Sequence, residues 1–424
     1  MATPFAGGGA TGAGRPDYAR FGLFYLGYYG YVGLISPYVS LYFADRGFNP
    51  VQIGVLMASF QVSRIVGPYL WGWLSDVMHT RVRILRVSAF TSLLAFLMLP
   101  GVGSYGGMMA MMLTLSLLTS AMSPLGDALT ISTLRRYGAF DHSYGRIRMF
   151  GSVGFIGAVL AGGALFEAVG MRAFPWVAST LLAILAGVVL TMRDAAADGT
   201  HTAPPRALPL LRRPDLAWFL ASAFLMMFAH AALYVFYSLW LAQLGYSKFA
   251  IGVMWTIGVV AEIVFFYYQG LLFARYSLRT ILAGTFVLAA LRFGLTGYFA
   301  QFAWLMALVQ VLHAATFAAH HSASLKRLQA WFAGPLQGRG QALYTGISYG
   351  VGGTLGGLAM GWTWNALAPE HTFGLAAIAA AAGALCAVMS FRAEGDGAAQ
   401  ASAAQTRSAI ASDEVSPGDS MPNR

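Results

Sequence analysis

Asp194-Ala195-Ala196-Ala197-Asp198-Gly199-Thr200-His201-Thr202-Ala203-Pro204-Pro205-Arg206-Ala207-Leu208-Pro209-Leu210-Leu211-Arg212-Arg213-Pro214-Asp215 is the longest polar break in a chain otherwise made of apolar runs. Its four prolines oppose helix, because proline lacks the N–H and clashes with the preceding turn. Six apolar runs precede it, near 18–44, 51–74, 84–102, 105–134, 147–168 and 173–193. Six follow, near 216–243, 249–273, 279–297, 302–325, 338–363 and 372–392. A helix needs about 20 mainly apolar residues to cross a hydrocarbon core of about 30 Å. The pattern predicts an all-α polytopic membrane protein of twelve transmembrane helices. They form two six-helix pseudo-symmetric bundles, 18–193 and 216–392, joined by a cytoplasmic linker at 194–215. Residues 1–17, small and polar, read as a flexible N-terminus without the apolar core of a cleavable signal. Residues 393–424, rich in Ala, Ser, Asp and Glu, read as a disordered cytoplasmic tail.

Of the 424 residues, 58% are hydrophobic and 10% charged, with a mean hydropathy of +0.63. Soluble domains carry roughly 25% charged residues, so lipid must be the solvent for most of this chain. The net charge of +10 comes from basic residues dispersed through short loops. That dispersion excludes nucleic acid as a partner and indicates topogenic charge. With the N-terminus placed inside, 21 of the 26 Lys and Arg fall on the cytoplasmic side, and only Arg46, Arg172 and Lys248 on the other. Both termini are therefore expected in the cytoplasm. The Arg, Ala and Gly excess points to a GC-rich bacterial genome, and the expected location is a bacterial cytoplasmic (inner) membrane. The single cysteine, Cys386, forms no internal disulfide. No Cys/His set has zinc spacing, no Walker motif is present, and no nucleophile set can be assembled. The expectation is a monomeric non-enzyme without metal or cofactor, whose partners are lipid, protons and a small molecule.

The halves look alike. Gln52-Ile53-Gly54-Val55-Leu56-Met57 opens the second run, and Ala250-Ile251-Gly252-Val253-Met254-Trp255 opens the eighth. A six-helix unit repeated in parallel is a design of secondary transporters. Gly72-Trp73-Leu74-Ser75-Asp76, followed by Arg81, Arg83 and Arg86, resembles the Gly-x-x-x-Asp signature of the major facilitator superfamily, with Val77 where a basic residue is usual. Other segments resemble the phenylpropionate permease family within it. They are Gly126-Asp127-Ala128-Leu129, Tyr144-Gly145-Arg146-Ile147-Arg148-Met149-Phe150-Gly151-Ser152 and Ala229-His230-Ala231-Ala232-Leu233-Tyr234, then Gly258-Val259-Val260-Ala261-Glu262 and Leu312-His313-Ala314-Ala315-Thr316-Phe317. The resemblance implies the major facilitator fold and proton-linked transport of an aromatic carboxylate such as 3-phenylpropionate. A fainter likeness to lactose permease implies functional roles for Asp127, Glu262, Arg292 and His313. That permease has a carboxylate one turn after the histidine, where this chain has Thr316.

Ionisable residues inside a bilayer are costly, about 2.5–3.5 kcal/mol on insertion scales, and persist where they pair or line a wet cavity. Arg64, Glu262 and Arg292 all fall in the middle third of their runs, as do His230 and His313. Five such groups at one depth predict a central cavity, although an ion pair that only joins helices remains an alternative for each. Asp127 lies nearer the cytoplasm, where Arg148 is its expected partner, as a gate or a helix bridge. Asp76 is a second candidate for gating or ion pairing.

The proton-coupling candidates are Glu262, with Asp127 as the alternative, and the histidines His313 and His230, whose charge changes near neutral pH. The substrate-binding candidates are Arg64, whose planar fork suits a carboxylate, together with Arg292, Tyr28, Tyr31 and Tyr234. Tyr25, Tyr28 and Tyr31 share a helical face at i,i+3 spacing, and such a face can stack on a ring. Arg64, Arg292, Asp127 and Glu262 balance to zero, and protonating Glu262 leaves one cation for a monocarboxylate. Sugars and nucleosides also suit aromatic-rich cavities, so a sugar, nucleoside or drug transporter is the alternative reading.

Overall fold

The computed structural model describes residues 18–78, 80–194, 210 and 212–414, leaving the side chains at 68, 76, 141, 335 and 397–414 outside the description. Among the described residues there are only helices and short connections. Twelve helical segments follow one another. They are α1 (Tyr18–Asp45), α2 (Pro50–Met78), α3 (Arg81–Met98), α4 (Tyr105–Arg136), α5 (Phe140–Val169) and α6 (Phe174–Thr191). After the linker come α7 (Pro214–Gln243), α8 (Lys248–Arg275), α9 (Leu278–Tyr298), α10 (Ala303–Trp331), α11 (337–366) and α12 (Pro369–Glu414). Nine helices among the described residues are long and apolar enough to cross a membrane, or ten if the bent α2 counts as one span. α1 and α11 are rich in Tyr and Gly, which lower hydropathy without adding charge. The twelve-span count stays a proposal.

Local chemistry repeats across the halves at the offset seen in sequence. Gly47 and Gly245 both hold φ above +80°, at +83° and +86°, a conformation costly for residues with a Cβ. Asn49 Oδ1 then accepts from Gln52 N, and Ser247 Oγ accepts from Ala250 N, capping α2 and α8 at equivalent positions. The repeat thus extends to the turn and cap that start each helix.

The chain separates into two compact units. One is Met1–Thr202 with Tyr234–Val259; the other is Ala203–Leu233 with Val260–Arg424. The boundaries differ from the expected 18–193 and 216–392, because the facing ends of α7 and α8 pack with α1 and α5. There the Tyr38 hydroxyl meets Val159 O at 2.7 Å and Lys248 O at 3.3 Å. The backbone N–H of Lys248 donates to Glu167 at 2.6 Å. Small residues permit close approach along α1 and α5: a Cβ on Gly33 would sit 2.6 Å from Phe155 O. In the second unit, buried Asp215 accepts from Nε and Nη2 of Arg213 and from Trp331 Nε1, while Ser390 donates to its carbonyl at 2.7 Å. These bonds tie the start of α7 to α10 and α12.

The tail reading changes as well. α12 runs on to Glu414, well past residue 393, because Ala-rich sequence there is strong helix former. Most of the linker, 195–209 and 211, and residues 1–17 and 415–424 lie outside the described residues.

Candidate functional site

Each unit holds a polar cluster built around one helix-borne carboxylate. In the first unit, α4 supplies Asp127, and the neighbouring Gly126 leaves room for the ring of Phe24, which draws α1 close. Tyr25 on α1 donates its hydroxyl to Asp127 Oδ1 at 2.6 Å, and Arg148 Nη1 on α5 donates to the same oxygen at 2.9 Å. The Arg148 guanidinium lies over two rings, 5.2 Å from the Tyr25 centroid and 5.1 Å from that of Tyr29. A cation over a ring face is attracted by the ring quadrupole. The arginine is thus held by one carboxylate and two aromatic faces, yet its side chain stays 38% exposed. Tyr28 stacks on Phe24 at 6.2 Å and lies within electrostatic reach of Arg64, Asp127 and Arg148.

Arg64 is exposed on α2 and acts electrostatically on Tyr28. The other candidates of this unit fall elsewhere. Tyr31 is buried edge-on against Phe96 at 5.7 Å, so it leaves the Tyr25–Tyr28 face and packs towards α3. Tyr234 packs at 6.3 Å from Trp255. Asp76 lies on α2, but its side chain is outside the described residues. Sequence reasoning missed Tyr29 as a platform for Arg148. The i,i+4 spacing of Tyr25 and Tyr29 was the available signal.

In the second unit, Glu262 on α8 meets His313 on α10, with Oε1 and Nε2 2.7 Å apart. Both side chains are largely buried, 18% and 9% exposed. His313 Nδ1 has no hydrogen-bond partner, so one proton between Nε2 and the carboxyl oxygen accounts for the contact. Arg292 on α9 is 1% exposed, and donates through Nη1 to Thr316 Oγ1 at 3.1 Å and through Nη2 to Gln310 Oε1 at 3.0 Å. Thr316, which stands where lactose permease has an acid, therefore serves as a neutral acceptor. Gln310 was a further miss, visible as a lone amide in an apolar run. Arg292 also acts electrostatically on Glu262, His230 and His313.

His230 on α7 is fully buried, and its Nδ1 faces Met226 O at 2.9 Å. A carbonyl only accepts, so Nδ1 carries the proton. The ring lies 6.0 Å from that of His313. The backbone changes form next to His230 and His313, and again in α11. π-Helical turns occupy Ala232–Phe236 in α7, Ala314–Ala319 in α10 and Gly346–Gly352 in α11. Such turns often sit at functional sites, because they re-aim side chains. Among the described residues no group of three His, Cys, Asp or Glu could hold a metal.

Residues 18–375 match the MFS_1 like family. The chain is 30% identical over 334 residues, 77% of its length and 86% of the other's, to a probable 3-phenylpropionic acid transporter of Escherichia coli (strain K12). It is 27% identical to the maltose permease of Geobacillus stearothermophilus, over 64% of this chain and 68% of that one. The fold matches the crystal structure of the nucleoside transporter NupG with a TM-score of 0.79 at 17% identity, covering 88% of this chain and 98% of that one.

Proposed function

The chain belongs to the MFS_1 like family and is a transporter of the major facilitator superfamily; from that premise we propose that it carries a small aromatic monocarboxylate, such as 3-phenylpropionate, together with a proton across a bacterial inner membrane by alternating access. Both termini are placed inside, and the protein acts as a monomer.

The observation that carries this reading is Arg148, seated over the rings of Tyr25 and Tyr29 with one nitrogen on Asp127 and part of its fork open. An aromatic carboxylate asks for those two features together, a guanidinium for its oxygens and ring faces for its ring. Arg148 therefore replaces Arg64 as the principal carboxylate contact, with Arg64 and Tyr28 flanking it. This also changes the charge argument. The groups around Tyr28 bring two guanidiniums and one carboxylate, so the substrate anion is balanced within its own cluster. Glu262 is then released from that duty and serves as the proton carrier. It holds the proton in the contact with His313, and gives it up when its surroundings change during transport. Arg292 keeps that pocket electropositive.

Nucleoside or sugar transport is the second reading, favoured by the maltose permease likeness. Binding of 3-phenylpropionate and of its uncharged amide to the purified protein decides between them. The acid should bind at least about tenfold more tightly, as expected for a charge-assisted contact. Equal affinities would remove the carboxylate from the selection. Uptake into proteoliposomes that a protonophore abolishes tests the coupling.

A further inference from the structure

Two buried polar atoms on one stretch of α10 have no hydrogen-bond partner: His313 Nδ1 and the amide nitrogen Nε2 of Gln310. Such atoms are few in a folded protein, because an unmet buried polar group is costly. Gln310 is 3% exposed, and the His313 side chain 9%. The two residues are three apart in sequence, so their side chains are neighbours on one side of the helix.

The contacts of each residue fix what its unmet atom can do. Arg292 Nη2 donates to Gln310 Oε1 at 3.0 Å. A guanidinium only donates, so the amide oxygen faces Arg292 and the NH2 group, with its two donors, faces away. His313 is governed by Glu262, whose Oε1 lies 2.7 Å from Nε2. When this pair holds a proton, Glu262 is either an acid that donates to Nε2 or a carboxylate facing an imidazolium. In both forms Nδ1 carries an N–H. When the pair has lost that proton, the neutral imidazole donates from Nε2 to the carboxylate, and Nδ1 keeps only a lone pair. Nδ1 is thus a donor in the proton-loaded pair and an acceptor in the empty one.

Charge follows the same switch. The loaded pair is neutral as a whole, and Arg292 from α9, which acts on both members, adds a positive charge. In the empty pair the carboxylate offsets it. The other ionisable groups facing the pair are His230 from α7, with its ring 6.0 Å from that of His313, and His321 further along α10. Neither histidine supplies a negative charge.

We propose that Gln310 Nε2 and His313 Nδ1 form a binding site for an acceptor-only anion, a halide or a carboxylate, that is complete only while the Glu262–His313 pair holds its proton. The anion accepts from the Gln310 amide and from Nδ1–H, and Arg292 balances its charge. Loss of the proton turns Nδ1 into an acceptor, and the anion then faces a lone pair and a second negative charge. Proton and anion therefore bind together. No covalent bond forms to the anion, and only one proton moves, between the pair and water. The site stands on contacts within the second unit and does not depend on the Arg148 reading.

The test uses the purified full chain in weakly buffered, otherwise chloride-free detergent solution. Calorimetry reads binding, and a pH indicator reads proton uptake. One arm adds sodium chloride to the wild type. The other adds 3-phenylpropionate to Arg148→Gln, which lacks the first unit's guanidinium. In at least one arm, binding should draw in up to about one proton per anion, and affinity should fall by up to about tenfold per pH unit as the pair empties. A response to chloride alone names an inorganic anion as the occupant, and a response to the acid alone names a transported carboxylate. Responses to both show a site that takes either. Binding in neither arm, or affinity that ignores pH, would overturn the site.

Substitutions separate binding from packing. Asparagine places its amide nitrogen near the position of Nδ1, and glutamine near that of Nε2. His313→Asn should therefore keep the anion while losing the pH dependence and the proton uptake. His313→Gln should weaken binding about tenfold or more, the worth of a hydrogen bond to a charged group. Gln310→Glu keeps an oxygen for Arg292 but replaces the donors with an acceptor, and should weaken binding by a similar factor. Wild-type affinity in His313→Gln or Gln310→Glu would also overturn the site. Where the melting curve shows that a variant does not fold, the pH-linked uptake of the unsubstituted site decides alone.

Discussion

The carboxylates of α4 and α8 are each met by a nitrogen base from a neighbouring helix, but the bases differ. Asp127 faces a guanidinium and a tyrosine hydroxyl, whereas Glu262 faces an imidazole. A guanidinium stays charged at any pH a cell experiences, so the Asp127–Arg148 contact is a fixed dipole that can hold an anion and orient it. An imidazole can be neutral or protonated, with each ring nitrogen able to donate or accept, so the Glu262–His313 contact has a proton to share or lose. On the reading proposed above, the first cluster binds the substrate and the second couples the proton. The backbone follows the same division. Among the described residues, the π-segments lie only in α7, α10 and α11, beside His230, His313 and His321.

The largest expected effect breaks the coupling side alone. Glu262→Gln should abolish proton-driven accumulation of substrate while counterflow exchange continues. Accumulation against a gradient in this variant would show that the two clusters do not divide the work. Arg148→Gln should act on the other side, weakening binding of the acid by about 10- to 100-fold, the worth of a charge-assisted bond. Affinity for the amide should hardly move, and calorimetric titration of both ligands reads the difference. A smaller change is expected for Tyr25→Phe, which keeps the ring under Arg148 and removes only the hydroxyl on Asp127. Acid binding should weaken by roughly fivefold, the equivalent of one ordinary hydrogen bond of about 1 kcal/mol. Tyr31→Phe should have the least effect on binding, within about twofold, since its ring packs on Phe96 away from the cluster and separated sites act nearly independently. A binding loss there as large as in Tyr25→Phe would return Tyr31 to the substrate face.

Much of the frame was legible in the chain. Apolar runs, the proline-rich break at 194–215 and the midspan charges pointed to a transporter fold, because a bilayer punishes exposed polar groups so heavily that the pattern is written into composition. The offset between Gln52-Ile53-Gly54 and Ala250-Ile251-Gly252 also proved deeper than six residues, extending to Gly47 and Gly245 and to the caps Asn49 and Ser247. The arginine proposed to hold the substrate was harder to choose. Arg64 stood out because it lies mid-run, whereas Arg148, near the start of its run, read as the partner of Asp127 in a gate or a helix bridge. Nothing in a linear spacing rule says that Tyr25 and Tyr29 on α1 would lie beneath it.

Sequence alone determined that this chain is a helical membrane transporter with acids on the fourth and eighth runs, an arginine on the ninth and histidines on the seventh and tenth. Periodicity and hydropathy are local properties, and the cost of burying charge in lipid makes its few exceptions conspicuous. The Asp127–Arg148 pair was an expectation of the sequence, but only the tertiary structure decided the other meetings: Glu262 with His313, Arg292 with Thr316 and Gln310, Asp127 with Tyr25. Those meetings depend on helix rotation and on close approach at glycines such as Gly126 and Gly33. They depend also on π-turns that shift a helical face by a fraction of a turn. Such turns follow from packing between helices, which no single run of sequence contains.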